Sequence, residues 1–196
     1  MKRPTVYVIA GPNGAGKSTF YETVLRPTLD VPFINADIIQ RNELKDPSMS
    51  AAYQAARIAD SRREAALRDQ ISFATETTFS HPSKLELIAA AKAAGLQVVT
   101  YHINVRSPEL SVKRVATRVR KGGHDVPEDK IRERYERNQA LIREAALNSD
   151  FAFVYDNSGL NQRPSLAISF KLGKVLKVGG QVPTWARELY AQELEM

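Results

Sequence analysis

A glycine-rich stretch near the N-terminus combines the residue types that proteins use to hold a polyphosphate. It reads Gly11-Pro12-Asn13-Gly14-Ala15-Gly16-Lys17-Ser18 and is followed by Thr19. Glycines at these spacings let backbone N–H groups converge on phosphate oxygens, and the N-terminus of a following helix adds partial positive charge. In this pattern the lysine reaches the β- and γ-phosphates, and the serine hydroxyl is a ligand of Mg²⁺. We therefore predict a site for ATP and Mg²⁺ at residues 11–19.

The residues around this loop have the composition that a phosphate loop requires. Residues 5–10 are apolar and mostly β-branched, which is typical of a strand buried on both faces of a parallel sheet. A helix is predicted from Lys17 to Leu25, before Pro27. The alternative is an ordinary turn that matches the pattern by chance, and the strand before and helix after the loop disfavour it.

A carboxylate follows the second predicted strand, residues 31–35, in the sequence Asn35-Ala36-Asp37. The end of a parallel strand lies on the same edge of the sheet as the glycine loop. Asp37 could there accept the proton of an acceptor hydroxyl, as kinase chemistry requires. Alternatively, Asp37 caps a helix that starts at Ile38. The sequence favours the catalytic role only modestly.

Glu76 and Thr78 follow the third predicted strand, residues 71–75. At that position they would point into the same crevice, where they could hydrogen-bond the hydroxyls of an acceptor. The alternative is that Thr78 only shapes a turn before His81-Pro82, because such residues are common at the starts of loops. The residues alone do not separate these two interpretations.

Arginines concentrate on two predicted helices in residues 112–137. Arg114 and Arg118 lie four residues apart on one helix, with Arg120 nearby, and Arg134 and Arg137 lie on the next helix. Two such helices joined by a glycine-containing connection are typical of a hinged lid that brings guanidinium groups to a triphosphate. The alternative is a solvated charged face, and for most of these arginines it is the favoured interpretation.

Composition limits the classes of protein and site. The chain has 196 residues, 43% hydrophobic and 26% charged, which predicts a single globular domain over residues 1–196. The formal charge is +6, and residues 112–143 hold ten Lys or Arg against five acids. With no cysteine, disulfides and thiolate metal sites are excluded. No apolar run approaches a membrane span and no signal peptide is evident, so we expect a cytoplasmic protein.

The order of strand and helix patterns predicts an α/β fold. Five or six parallel strands flanked by helices are expected, with ligands at the carboxyl ends of the strands. One helix is predicted to begin at Ser83 with Glu86 completing a capping box. A short helical lid covers residues 112–137, and a hairpin and a terminal helix follow within residues 160–196.

The segment after the fifth predicted strand, residues 151–156, is polar. It begins Asp156-Asn157-Ser158-Gly159. Asn157 could contact a nucleotide base, but the composition favours a polar turn. His102 and Trp185 are predicted to be packing residues without a chemical role.

Four motifs in this order resemble the zeta toxin family of P-loop kinases. They are Gly11 to Ser18, Asn35-Ala36-Asp37, Glu76-Thr77-Thr78-Phe79 and Arg118-Val119-Arg120-Lys121-Gly122-Gly123-His124-Asp125-Val126-Pro127. The resemblance spans residues 5–158. The glycine loop is shared with very many nucleotide-binding proteins, whereas the Glu-x-Thr element and the Gly-Gly-His-x-Val-Pro run are much more specific. The resemblance implies a kinase fold and ATP-dependent phosphorylation of a sugar hydroxyl of UDP-N-acetylglucosamine.

The resemblance also implies roles for individual residues. It makes Asp37 the general base, Glu76 and Thr78 contacts to the acceptor sugar, and Lys17 and Ser18 the nucleotide and magnesium ligands.

The arginines of the lid transfer less directly, because the lid is short and rich in candidates. Arg118 and Arg134 are the predicted transition-state arginines, Arg114 is a further contact to the nucleotide, and Arg120 is a predicted contact to the acceptor.

The chain also departs from the larger toxins of the family. It is shorter and looks like compact, stand-alone members, for which the acceptor need not be the same sugar nucleotide. No segment is predicted to be a fused antitoxin, so an antitoxin partner is expected to be a separate protein. Alternatives are a kinase of another hydroxylated metabolite or nucleotide, and a nucleic-acid-dependent P-loop ATPase. The last is disfavoured because only Tyr135 places an aromatic ring among the arginines.

Overall fold

The structure is a computed structural model that describes residues 3–120, 122 and 126–195. The predicted hinge of the lid therefore falls largely outside the described residues, because it includes Lys121, Gly123 and His124. Within the described ranges, no helix has the combination of length and apolarity that crossing a membrane requires.

The described strands form one sheet in the order β2-β3-β1-β4-β5-β6-β7. They are β1 (Thr5–Ala10), β2 (Phe33–Ile34), β3 (Phe73–Thr77), β4 (Gln97–Asn104), β5 (Phe151–Asp156), β6 (Ser165–Lys171) and β7 (Lys174–Val178). The first five strands pair in parallel, whereas β6 and β7 are antiparallel. The predicted α/β class is confirmed, and the predicted C-terminal hairpin extends the same sheet to seven strands.

Helices connect the strands. They are α1 (Lys17–Phe20), α2 (Ala36–Ile38), α3 (Met49–Arg68), α4 (Lys84–Ala93), α5 (Pro108–Arg120), α6 (Glu128–Asn148), α7 (Thr184–Leu189) and α8 (Ala191–Leu194). α1 and α2 continue as π-helical turns over Tyr21–Leu25 and Ile39–Leu44.

The capping box predicted for α4 is wrong. The Ser83 side chain accepts no cap hydrogen bond, and its Oγ instead lies 2.9 Å from Nδ1 of His81. By contrast, the Oγ of Ser48 caps α3 by accepting from the backbone N–H of Ala51.

The core lies on both faces of the sheet. Val6 and Val8 of β1 pack on one face with residues of α3, α4 and α6, whereas Ile9 packs on the other face with Phe20 and Ile103. This alternation confirms that β1 is buried on both faces. A third cluster joins β5 and β6 to Tyr190, the residue after α7.

The 21-residue helix α6 is held at several points after its first two turns. Tyr135 Oη donates to the carbonyl of Val105 at 2.5 Å, and Arg143 forms an ion pair with Glu193 of α8. α6 therefore connects the end of β4 to the C-terminal helices.

The parallel strands place their carboxyl ends at one edge of the sheet. The glycine loop leaves β1 at this edge, between Thr78 after β3 and Val105 after β4. This edge is the region that open α/β sheets use for ligands.

Candidate active site

Two glycines of the loop have backbone geometry that side chains disfavour. Gly14 and Gly16 have φ values of 76° and 89°. A Cβ on Gly14 would lie 2.6 Å from the carbonyl oxygen of Ser111 in α5, and one on Gly16 would lie 2.4 Å from Nδ2 of Asn157. Any other residue here would strain the backbone and displace a wall of the loop. The loop is therefore shaped as a compact backbone cradle.

Lys17 begins α1 and is almost fully buried, with 6% of its side chain exposed. Its Nζ donates to the carbonyl of Pro12 at 3.0 Å and lies 3.7 Å from Oε1 of Glu76. Burial lowers the pKa of Lys17, Glu76 and Asp37 act to raise it, and the charge of Arg118 lowers it further. An anion bound beside this buried ammonium group would stabilise its charged form.

Glu76 connects the glycine loop to the next strands. Its Oε2 accepts from Ser18 Oγ at 2.8 Å and lies 3.4 Å from Nδ2 of Asn35. Glu76 belongs to β3 itself, whereas the sequence placed it just after the strand. Its carboxylate thus contacts Ser18, the predicted magnesium ligand, and also faces the space predicted for the acceptor.

The structure separates the two interpretations of Asp37. Asn35 is the N-cap of α2, because its Oδ1 accepts from the backbone N–H groups of Asp37 and Ile38 at 2.8 and 3.3 Å. The carboxylate of Asp37 does not cap this helix and is exposed toward a cavity beside the loop. Asp37 remains a predicted base.

A cavity of about 540 Å³ opens at the carboxyl edge of the sheet next to the glycine loop. This volume lies within the range of small-molecule sites. Predicted site residues that line it are Asn13, Asp37, Glu76, Thr78 and Arg134. The Oδ1 of Asn13 is buried and has no hydrogen-bond partner among the described residues. The loop and the cavity thus share a wall that carries several polar groups.

The predicted arginines are distributed unequally. Arg134 lines the cavity, and Arg118 is close enough to affect the pKa of Lys17. Arg114 faces the segment after β5, where its Nη2 donates to the carbonyl of Gly159 at 3.2 Å. Burial lowers the pKa of Arg114, and the charge of the nearby Asp156 opposes this effect.

Arg120 lies on an exposed part of α5, where its Nη2 donates to Thr117 Oγ1 at 3.3 Å. Neither Arg114 nor Arg120 is among the described residues that line the cavity.

Three polar residues of the site were missed by the sequence analysis. Arg63 of α3 lines the cavity and donates to Thr75 Oγ1 at 3.4 Å. Asn138 of α6 donates Nδ2 to the carbonyl of Thr78 at 2.7 Å. Asn157, for which a polar turn was favoured over a base contact, donates Nδ2 to the carbonyl of Ala15 at 2.8 Å.

Of these three residues, only Asn138 could have been recognised from the sequence. It occurs among the buried positions Ile131, Tyr135, Ile142 and Ala145, on the apolar face of its helix. A polar side chain on such a face needs a partner. Arg63 and Asn157 lie in ordinary polar sequence, and their partners are distant along the chain.

The fold and site together define a class of protein. A parallel core in the order β2-β3-β1-β4-β5, a phosphate-type glycine loop after β1 and a polar cavity beside it constitute the fold of P-loop kinases. More particularly, the chain belongs to the zeta toxin family, whose family model matches residues 1–162.

The chain is also similar to individual known proteins. An uncharacterized protein of Haemophilus influenzae is 31% identical over 128 residues, which cover 64% of this chain and 88% of that protein. The PezAT chromosomal toxin–antitoxin system of Streptococcus pneumoniae contains a chain with a TM-score of 0.65 and 14% identity, covering 100% of this chain and 86% of that one.

A chain in the AvrRxo1-ORF1:AvrRxo1-ORF2 complex with sulphate ions has a TM-score of 0.68 and 18% identity, covering 97% of this chain. This chain spans only 63% of the length of that one. At these identities the two structures show the shared fold alone.

Proposed function

We propose that this protein is an ATP-dependent phosphotransferase that phosphorylates a hydroxyl group of UDP-N-acetylglucosamine or a related UDP-sugar. The observation that carries the proposal is the shared wall between the glycine loop and the cavity. Glu76 contacts Ser18 and Lys17 of the loop and also lines the cavity, where Asp37 is exposed. A donor phosphate and an acceptor hydroxyl could therefore meet there.

The residues present fit ATP and Mg²⁺. The close approach of Ser111 and Asn157 to Gly14 and Gly16 leaves room only for backbone, which is the property of a phosphate cradle. No group of three His, Cys, Asp or Glu that could hold a metal ion occurs within the described ranges. Mg²⁺ commonly binds through one or two protein ligands, phosphates and water. Here Ser18 would be such a ligand.

When bound, ATP would supply the transferred phosphoryl group, and Mg²⁺ would reduce the repulsion between its phosphate charges. An AvrRxo1-ORF1:-ORF2 complex has been solved with ATP, which supports this choice of nucleotide.

The chain's own groups position the reactants and move a proton. Asp37 accepts the proton of the acceptor hydroxyl, Thr78 hydrogen-bonds the acceptor, and Lys17 offsets phosphate charge. Arg134 acts from the cavity wall and Arg118 from the side of Lys17. Positioning and electrostatic stabilisation of this kind account for most of the catalysis in phosphoryl transfer.

A direct test incubates the purified protein with ATP, Mg²⁺ and UDP-N-acetylglucosamine and follows the product by mass spectrometry. The expected product is heavier than the acceptor by one phosphate, and Lys17→Ala should abolish it. If calorimetry shows that neither the wild type nor Lys17→Ala binds ATP with Mg²⁺, or that both bind equally well, the proposal is wrong.

The charge of the cavity lining supports a second candidate for the acceptor, a hydroxylated metabolite other than a UDP-sugar. Its described lining includes five acids, Asp37, Asp60, Glu64, Glu76 and Glu86, against three bases, Arg63, Lys84 and Arg134. An acid-rich wall suits an uncharged or cationic alcohol better than a pyrophosphate. An untargeted metabolite screen with ATP separates the two classes, because a product formed only from an extract component other than a UDP-sugar would replace the first acceptor.

We also propose that the protein is cytoplasmic and can act as a toxin neutralised by a separate antitoxin protein. The membership of the zeta toxin family and the fold shared with the PezAT toxin–antitoxin system support this. Expression in a bacterial host should arrest growth, and Asp37→Asn should relieve the arrest. Equal toxicity of both proteins would show that any toxicity does not depend on phosphotransfer.

A further inference from the structure

A side chain after β5 is bonded directly to the glycine loop. Nδ2 of Asn157 donates to the carbonyl oxygen of Ala15 at 2.8 Å, a contact between residues 142 positions apart. The backbone N–H of Asn157 donates to the carbonyl of Asn104 at 2.8 Å, which fixes Asn157 to the end of β4. Asn157 therefore joins a rigid part of the sheet to the middle of the loop.

The contact depends on the absence of a side chain at the next loop residue. A Cβ on Gly16 would lie 2.4 Å from Nδ2 of Asn157, which is closer than any real contact of this kind. With φ of 89°, Gly16 also has a backbone conformation that other residues disfavour. Gly16 thus satisfies two separate requirements, its own conformation and the approach of Asn157.

The bond to Ala15 determines the direction of the neighbouring N–H group. In a planar trans peptide, the C=O of one residue and the N–H of the next point in opposite directions. Asn157 holds the Ala15 carbonyl toward β5, so the N–H of Gly16 is directed away from β5. Rotating this peptide would turn the N–H with it.

We propose that Asn157 is a positioning residue that orients the Ala15–Gly16 peptide so that the N–H of Gly16 faces the bound phosphates. This inference rests on the proposed nucleotide site. The proposed role also explains the polar side chain of Asn157, for which the sequence analysis considered a base contact or a turn. The bond to Ala15 uses one N–H of the Asn157 amide and ties the side chain to the phosphate loop, so the inferred role is on phosphate rather than on the base.

The test compares two ligands that share phosphates but differ in the base. Calorimetry with Mg²⁺ measures the affinities of ATP and of inorganic tripolyphosphate for the wild type, Asn157→Ala and Asn157→Asp. Loss of one oriented hydrogen bond should weaken both ligands by the same factor, roughly 3- to 10-fold for Asn157→Ala. Asn157→Asp should lose more, because a carboxylate repels both the Ala15 carbonyl and the phosphates.

The outcomes separate the possible roles. If Asn157 contacts the base, its variants lose affinity for ATP but keep the wild-type affinity for tripolyphosphate, and the inference is overturned. Unchanged affinity for both ligands overturns it as well. If the wild type itself binds neither ligand, the proposed function fails rather than this inference alone.

A second variant addresses a merely structural role. Gly16→Ala should displace the Asn157 amide, so the double variant with Asn157→Ala should lose no more affinity than Gly16→Ala alone. Fully additive losses would contradict the shared mechanism. The thermal midpoint of each unliganded variant shows whether the fold is retained. An Asn157→Ala protein that keeps its midpoint but binds both ligands more weakly supports positioning.

Discussion

Replacing Asp37 by Asn tests the catalytic site with little disturbance of the fold. The substitution preserves the shape of the side chain and removes its charge and its capacity to accept a proton at neutral pH. The backbone N–H of residue 37 still donates to Asn35, so the cap of α2 is retained. Because the Asp37 side chain is exposed, the free energy of unfolding should change by less than about 0.5 kcal/mol.

The expected effect on turnover is large. A positioned general base contributes roughly 10²- to 10⁴-fold to the rate, which corresponds to about 3–5 kcal/mol of transition-state stabilisation. The affinity for ATP should be nearly unchanged at neutral pH. Asp37 acts to raise the pKa of Lys17, so its loss lowers that pKa further.

The assay measures kcat for the acceptor, ATP affinity and denaturant unfolding on one set of proteins. Asn35→Ala is the matched control, because it removes the cap and retains the carboxylate. It should lose about 1 kcal/mol of stability and keep much more turnover than Asp37→Asn. Turnover of Asp37→Asn within threefold of the wild type would refute the role of general base. A loss of stability equal to that of Asn35→Ala would show that Asp37 is structural.

Further predictions concern the surroundings of the site. Burial lowers the pKa of His102 to about 3 from 6.5, so the folded chain cannot take up a proton that the unfolded chain binds. Stability should therefore fall as the pH drops from 6.5 toward 3, by up to about 1.4 kcal/mol per pH unit; urea unfolding of His102→Gln should show a weaker pH dependence. Glu76→Gln removes the charge that most raises the pKa of Lys17. Lys17 should then lose its proton, and the protein its affinity for ATP, at a lower pH than in the wild type. Calorimetry that finds this alkaline loss of affinity at the wild-type pH would contradict the prediction. Asn138→Ala leaves the Thr78 carbonyl without its donor and should cost about 1–3 kcal/mol of unfolding free energy, measured in urea.

The glycine loop was predictable from sequence because its determinants are local. Gly14 and Gly16 are required by backbone conformation, and the strand before them is recognisable from its own composition. The same holds for β5, which spans the predicted residues 151–156. Local sequence did not decide between two neighbouring residues that could both cap a helix. The cap of α2 is provided by Asn35 and not by Asp37.

Features that depend on contacts between distant segments were not predictable. Glu76 was expected after its strand, but pairing of β3 with β1 continues to Thr77. The hairpin of β6 and β7 was recognised, whereas its antiparallel addition to the same sheet depends on pairing with β5. Arg114 was predicted to contact the nucleotide, and its hydrogen bond to the carbonyl of Gly159, 45 residues away in sequence, could not be predicted from helical spacing.

The attachment of α6 limits how far the predicted lid could move. From Tyr135 onward the helix is fixed to the end of β4, to Thr78 and to α8, whereas Arg134 lies immediately before the first of these attachments. The first two turns, residues 128–134, are held separately, by the burial of Ile131 and by the ion pair of Arg132 with Glu109 of α5. A large swing of the whole helix would therefore require these contacts to dissociate first.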